Sequence, residues 1–295
     1  MNTIALFNIL RAAPLTELQD LGRFGHMHIG ISQSGAMDEI AFAQNNALLG
    51  NDANAAQVEI APGGLLLEAL HDATIAISGA YALPTLNGKP LVNGHSHHIR
   101  AGDHLRWGYP RHGQYSYLAV YGGFAAEPVL GSRATTRRLA LAAQLLTSGT
   151  QLHIAQEHGI HIPLRGHARS HLPDYRGTVL EVMPCYQYDE FSPAAKAHFF
   201  SQPYRVIASD RMGVRLTAPH ALAVPEHELL SEAILPGAIQ ISHAGQPIVL
   251  QKDAQTLGGY HKIGMLTPAS RILLAQSAPG KRLRFRLAGE NREHI

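Results

Sequence analysis

Short runs in which apolar residues dominate or alternate with polar ones recur along the chain, and glycine, proline, asparagine or aspartate separates them. Residues 73–78 (ATIAIS), 115–121 (YSYLAVY), 178–183 (TVLEVM), 238–242 (AIQIS), 247–250 (PIVL) and 282–287 (RLRFRL) have the length and the β-branched or aromatic content of strands. With 28 Gly and 17 Pro as punctuation, this is the pattern of a β-barrel or β-sandwich protein. Helical periodicity is scarce. One helix is predicted over 38–49, with Asp38 as N-cap, Ile40, Ala43, Ala47 and Leu48 as its apolar face, and Gly50 as its stop. A second has Ser192 as N-cap, Pro193 in the first turn and AAKAHFF as its body. The expected class is mainly β with a few short helices.

A faint internal echo accompanies the strands. NGKPL at 87–91, followed by AGDHLRW at 101–107, is similar to AGQPI at 244–248, followed by PGKRLRF at 279–285. Two related β lobes would produce it, although glycine turns ahead of alternating strands give like letters in unrelated β proteins. A length of 295 residues also suits two domains. The aperiodic Pro-, Arg- and His-rich stretch 162–176 marks a boundary, giving lobes of about 1–165 and 176–295.

Composition narrows the function classes. Hydrophobic residues make up 45% and charged ones 16%, which excludes a disordered chain or a charged coiled coil. A net charge of +2 supplies no field for a polyanion, so nucleic acid is not an expected partner. The 19 histidines make charge steeply pH-dependent near pH 6. The single cysteine, Cys185, permits no intrachain disulfide and suits a reducing compartment. The N-terminus reads as a first strand rather than a signal peptide, and no apolar run approaches eighteen residues. A cytoplasmic protein without a membrane partner is expected.

Four segments gather polar residues among glycines. Residues 18–38 (LQDLGRFGHMHIGISQSGAMD) offer Gln19, Asp20, Arg23, Ser34 and Asp38 in a glycine-rich loop that feeds a helix start, an arrangement that can present N–H groups to an anion. An irregular loop with an Asp20–Arg23 salt bridge is the plainer alternative. In SDRMGVRL, residues 209–216, Arg211 has the fork to clamp a carboxylate or phosphate, and Asp210 is placed to orient it or act as a base. An Asx turn with a structural ion pair is the competing account. Residues 228–240 and 245–262 add Glu232, Gln240, Gln246, Asp253, Gln255, Thr256, Gly259, Tyr260 and Lys262, the amides, hydroxyls and cation that an oxyanion or carboxylate pocket uses. HSHH at 95–98 lacks a defined third ligand and reads as an exposed strand edge, so no metal site is expected. Cys185 has no cationic neighbour in sequence and reads as structural. Phosphate-loop, dinucleotide-binding and nucleophile-elbow motifs are absent.

QDLGRFGHMHIGISQSGAMD, LLGNDANAAQVE, VLGSRATT, SDRMGVRL, ELLSEAILPGAIQ and GQPIVLQKDAQTLGGYHKIG resemble, in order and along nearly the whole chain, the allophanate hydrolase subunit 2 family. That family is also described as subdomains A and B of the urea carboxylase-type carboxyltransferase domain, and many free-standing bacterial members are the C subunit of ATP-dependent 5-oxoprolinase. The resemblance implies two cyclophilin-like β-barrel lobes, a partner B subunit with companion subdomains C and D, and a separate A subunit. The sequence departs from the family pattern in three places. ATTRRLALAAQ follows VLGSR where a glycine pair is usual, His261 stands where proline is usual, and Cys185 replaces a common glycine.

The leading function implied is a subunit of an enzyme that opens 5-oxoproline to L-glutamate with ATP hydrolysis, inactive without its partners. Such chemistry needs donors for a carboxylate, activation of a lactam carbonyl and a base for water. Arg23, Arg211 and Lys262 are the cationic candidates; Asp20, Asp38, Asp210 and Asp253 are the basic ones. Ser34, Gln240, Gln255, Thr256, Gly259 and Tyr260 join Asp38 as expected substrate contacts. ATP with Mg is expected at the level of the complex. A second implied activity is carboxyl transfer from carboxybiotin to a urea-like amide, with biotin carried elsewhere because no attachment segment lies in this chain. A third is a regulatory antagonist of a sporulation-kinase inhibitor.

Overall fold

The computed structural model describes residues 2–142, 144–155 and 173–289. The chain divides into two compact units, Met1–Phe24 with Gln33–Leu172 and Gly25–Ser32 with Pro173–Ile295. The stretch 162–176 expected as a boundary lies largely outside the described residues.

The first unit has two sheets. One has seven strands in the order β11 (Phe124–Ala125), β12 (Gln151–Ala155), β1 (Thr3–Arg11), β4 (Leu66–Ala69), β9 (His104–Arg106), β6 (Thr85–Leu86) and β7 (Lys89–Pro90). The other has five, in the order β2 (Leu15–Gln19), β3 (Gln57–Ala61), β10 (Ser116–Val120), β5 (Ala73–Gly79) and β8 (His95–Ile99). Alternation sends Leu18, Val58, Ile60, Ile75, Ile77, Leu118 and Val120 from the five-stranded sheet into one cluster with Phe7, Ile9, Leu67, Leu105 and Leu152 from the other. The opposite face of the five-stranded sheet is polar yet buried: Glu17, Gln57, Glu59, Tyr117 and Ser78 lie there by register.

Helix α1 (Glu39–Leu49) packs on this polar face. Its ends are as the sequence predicts: Asp38 accepts from Ala41 N–H at 2.9 Å, and Gly50 closes it at φ 67°. Its buried face is not. Ile40, Ala43 and Ala47 are exposed, while Gln44, Asn45 and Asn46 are buried beside Phe42 and Leu48. The physical reason is the polar sheet beneath. Asn45 donates to Gln57 Oε1 (3.0 Å), Gln57 donates to the Phe42 carbonyl (2.7 Å), and Ser78 donates to the Ala41 carbonyl (2.7 Å).

The second unit is a closed barrel in the order β13 (Val179–Met183), β20 (Lys262–Leu266), β17 (Ala238–Ile241), β18 (Pro247–Leu250), β15 (Gly213–Thr217), β14 (Tyr204–Ser209) and β21 (Arg282–Leu287). A parallel β13–β21 pair closes it. Leu180, Val182, Val206, Val214, Leu216, Ile239, Ile241, Val249 and Ile263 share its core. Helix α2 (Pro193–Ser201) starts at Ser192 as predicted, and its Phe199 stacks on Phe285 at 4.5 Å. Helix α3 (Pro268–Ala275), capped by Thr267, was not anticipated. A separate two-stranded ribbon pairs β16 (Glu232–Ala233) with β19 (Leu257–Gly258). Mainly β architecture with few short helices therefore holds, and hydrogen bonding closes a barrel in the second unit while the first packs two sheets.

Candidate functional site

In the first unit Asp20, Arg23, Ser34 and Asp38 are fully buried. The Asp20 carboxylate accepts from Gly22 N–H (2.8 Å), the Ser132 hydroxyl (2.7 Å) and Arg133 N–H (2.7 Å). Arg23 donates to the carbonyls of Val129 (2.9 Å) and Ala134 (2.7 Å) and to Thr136 Oγ1 (3.2 Å). The Ser34 hydroxyl donates to the Thr135 carbonyl at 3.1 Å. These bonds lock the loop after β2 onto residues 129–136, so two motifs that stand far apart in sequence form one interlock. Glycine is required where the loop doubles back. At Gly22 (φ 107°) a Cβ would lie 2.8 Å from the carbonyl oxygens of Gln33 and Ser34, and at Gly35 (φ 94°) 2.7 Å from that of Leu21. The polar atoms expected to face a ligand thus face the chain itself. Asp38, besides capping α1, donates its N–H to the Tyr117 hydroxyl (2.7 Å), which donates to Glu59 Oε2 (2.7 Å). Burial, reinforced by Glu59 and Asp38, pushes the Tyr117 hydroxyl well above its ordinary pKa.

In the second unit the carboxylate gripped by the Arg211 fork is that of Asp253. Nε meets Oδ2 at 2.9 Å and an Nη meets Oδ1 at 3.1 Å, with both side chains buried. Asp210 is exposed and accepts from the N–H groups of Met212 (2.8 Å) and Gly213 (3.0 Å), an Asx turn leading into β15. Thr256 is buried in the loop before β19, and its carbonyl accepts from Ile234 N–H at 3.1 Å.

The barrel's alternation builds a cavity on its outer wall. Ile239, Ile241 and Ile263 point into the core, so Gln240 on β17 and its register partner Lys262 on β20 point outward on one face. A cavity of about 280 Å³ lies there, lined by Asp210, Arg215, Gln240, Ile248, Gln255 and Tyr260 among others. Four expected residues, Asp210, Gln240, Gln255 and Tyr260, therefore meet at one place. Gln240 is 2% exposed, and among the described residues no group accepts from its Nε2. Gly258 of the ribbon crosses directly over that amide, where a Cβ would sit 2.8 Å from Nε2. Next to it Lys262 Nζ pairs with Glu232, and the Tyr186 hydroxyl takes the other Glu232 oxygen. Nζ also lies 5.3 Å from the Tyr186 ring centre. Burial pulls the Lys262 pKa down. Cys185 donates its thiol to the Lys262 carbonyl at 2.9 Å, and burial pushes that thiol's pKa up, as suits a structural cysteine. A second cavity, also of about 280 Å³, shares Tyr260 and is lined by His227, His243, Gly259 and His261. The cavity below the ribbon offers amides, a phenol and the Arg215 guanidinium to a small polar ligand.

Residues 29–287 match the family model described as carboxyltransferase domain, subdomain A and B. The chain belongs to that family. Among relatives of this carboxyltransferase-domain chain, the C subunit of 5-oxoprolinase from Escherichia coli strain K12 is 36% identical over 95% of this chain and 90% of its own length. The urea amidolyase of Lachancea kluyveri is 28% identical over 95% of this chain but only 17% of its own length. The crystal structure of TTHA0988 in space group P212121 superposes with a TM-score of 0.86 at 32% identity, covering 96% of this chain and 55% of that one. The chain thus spans about half the length of that solved protein.

Sequence reasoning picked out Lys262 and Glu232 without joining them, and it missed Tyr186, which follows Cys185 in a segment read as structural. It also missed His227, which lines the second cavity. His261 stood out only as a departure from the family pattern. HSHH lies, as expected, on an edge strand, β8, where the ring nitrogens of His95 and His97 meet the carbonyls of Asn93 (3.1 Å) and Val92 (2.9 Å).

Proposed function

We propose that this chain is the C subunit of an ATP-dependent 5-oxoprolinase, acting with a B subunit that carries the companion subdomains and with an A subunit to open 5-oxoproline to L-glutamate. The observation that carries this reading is the extent of the match. It runs through 90% of a protein named as the C subunit of 5-oxoprolinase, against 17% of a urea amidolyase. The outer-wall cavity supports it chemically. Its size suits a five-membered lactam, and the buried Gln240 Nε2 has a hydrogen to donate to a carbonyl or carboxylate oxygen. The cation lining the cavity is Arg215, while Lys262 on the same face is taken up by its pair with Glu232. ATP and its Mg²⁺ belong, in this reading, to the complex: a triphosphate needs several cations or N–H groups, whereas this cavity is lined by one arginine, two amides and a phenol. No step is assigned to ATP on this chain.

Glutamate release with ATP tests the reading, first with the purified chain and then with the A and B subunits added. The chain alone is expected to be silent and the complete set active; turnover by the isolated chain, or none by the set, overturns it. Gel filtration of this chain co-expressed with the B subunit is expected to give a single hetero-oligomer. In the assembled enzyme Gln240→Leu is expected to lower kcat/KM about tenfold to hundredfold. A second reading, carboxyl transfer to a urea-like amide from biotin carried on another chain, is favoured by the urea amidolyase likeness. Urea-dependent consumption of bicarbonate with a biotinylated carrier, and no glutamate release, would select it.

A further inference from the structure

Three segments of the second unit bring Glu190, His227 and His261 together. Glu190 ends a single 3-10 turn just before α2, His227 lies in the irregular stretch ahead of β16, and His261 directly precedes β20. Each offers one donor atom to a common point. The two Nε2 atoms are 3.2 Å apart, and Glu190 Oε2 lies 3.5 Å from that of His227 and 3.7 Å from that of His261. Metal–ligand bonds of about 2.0–2.1 Å in a tetrahedron place their donors roughly 3.3–3.4 Å apart, whereas an octahedron brings neighbours to about 3.0 Å. The observed triangle fits the tetrahedral edge. Two imidazoles and a carboxylate are also a donor set that suits Zn²⁺.

The innermost of the three side chains is firmly held. His261 is buried, packs edge-on against Phe191 with ring centres 6.4 Å apart, and has its carbonyl held by Ile241 N–H at 2.9 Å. His227 meets it edge-on at 4.7 Å. Both histidines line the second cavity together with His243 and Tyr260. We propose that Glu190, His227 and His261 form a three-ligand Zn²⁺ site whose fourth position opens into this cavity, to be filled by water or by an anionic oxygen of a small ligand. The proposal stands independently of the oxoprolinase reading, because it concerns metal binding by this chain alone.

The test uses the full chain stripped with a chelator, titrated with Zn²⁺ against a chromophoric competitor and separately with Co²⁺. One equivalent is expected to bind at micromolar or lower Kd, and Co²⁺ is expected to give the intense visible bands of four-coordinate cobalt. His261→Ala and His227→Ala should each weaken binding at least tenfold and abolish those bands, while His97→Ala on the edge strand should change neither. Glu190→Gln, at a one-third-exposed side chain, covers the case in which the buried His261 variant fails to fold, and it too should weaken binding at least tenfold. Equal affinity in wild type and Glu190→Gln, or only the weak spectrum of six-coordinate cobalt, would mean that surface histidines bind adventitiously and would overturn the site.

Discussion

A single side chain in this protein is best understood by asking which groups its polar atoms face. Arg211 and Asp253 face one another in a buried bidentate pair, so removing one charge strands the other. Arg211→Met is expected to lose about 3–5 kcal/mol in urea unfolding, and the double change Arg211→Met with Asp253→Leu should recover most of it. If the double variant is as unstable as the single one, the pair is not what holds the segment after β18 against β15. Gln240 is the opposite case, a buried donor without an acceptor among the described residues. Gln240→Leu should raise stability by about 1 kcal/mol while lowering activity, a combination that a merely structural glutamine would not give. Sequence alone could not separate these two residues, because a fork and an amide look equally available until their neighbours are known.

Elements follow the same rule one level up. The limits of α1 were legible because Asp38 and Gly50 act locally, through an N-cap bond and a left-handed turn. Its buried face was not, because what lies beneath is a sheet face made polar by residues from four separate strands. Asn45→Leu, which improves the helix by apolar patterning, should therefore destabilise by about 1–3 kcal/mol, since Gln57 Oε1 and the Tyr117 carbonyl lose their donor. Ala43→Leu on the exposed face should stay within about 0.5 kcal/mol. Thermal and urea unfolding of both variants check the assignment. The strands at 247–250 and 282–287 appeared in the sequence residue for residue, and those at 73–79, 116–120, 179–183 and 238–241 nearly so, whereas β2, β3, β4, β12, β14 and β20 were not picked out. Two-residue strands such as β16 and β19 did not appear, because so short a stretch has no period to show. Thr267–Pro268 carries the same cap-and-proline signature as Ser192–Pro193, so α3 was legible and overlooked.

At the scale of the molecule, each unit has its own core and each keeps a buried tyrosine. Burial raises Tyr204 to about 12 and lifts Tyr117 well above the usual value. Both ionise near pH 10 once unfolded but stay protonated longer when folded. Stability is therefore intact below pH 10 and falls above it by about 1.4 kcal/mol per pH unit for each tyrosine, until Tyr204 itself ionises near 12. Urea midpoints between pH 9 and 11.5, set beside an ultraviolet phenolate titration, should show the decline beginning while these two tyrosines remain neutral. Motif order made the family legible across this scale, and the glycine-rich segments pointed to Gln240 and Tyr260. The Glu190–His227–His261 triangle stayed hidden because its two histidines are 34 residues apart and no local spacing signals it. The ribbon of β16 and β19 has a further consequence. A closed barrel holds every strand on both sides, whereas this ribbon is two residues wide and rests on the wall through Gly258 and Glu232. Its amides should exchange with deuterium orders of magnitude faster than those of β17 or β18. The buried Gln240 amide beneath Gly258 would then meet water by local opening of the ribbon, with the barrel's own hydrogen bonds left unbroken.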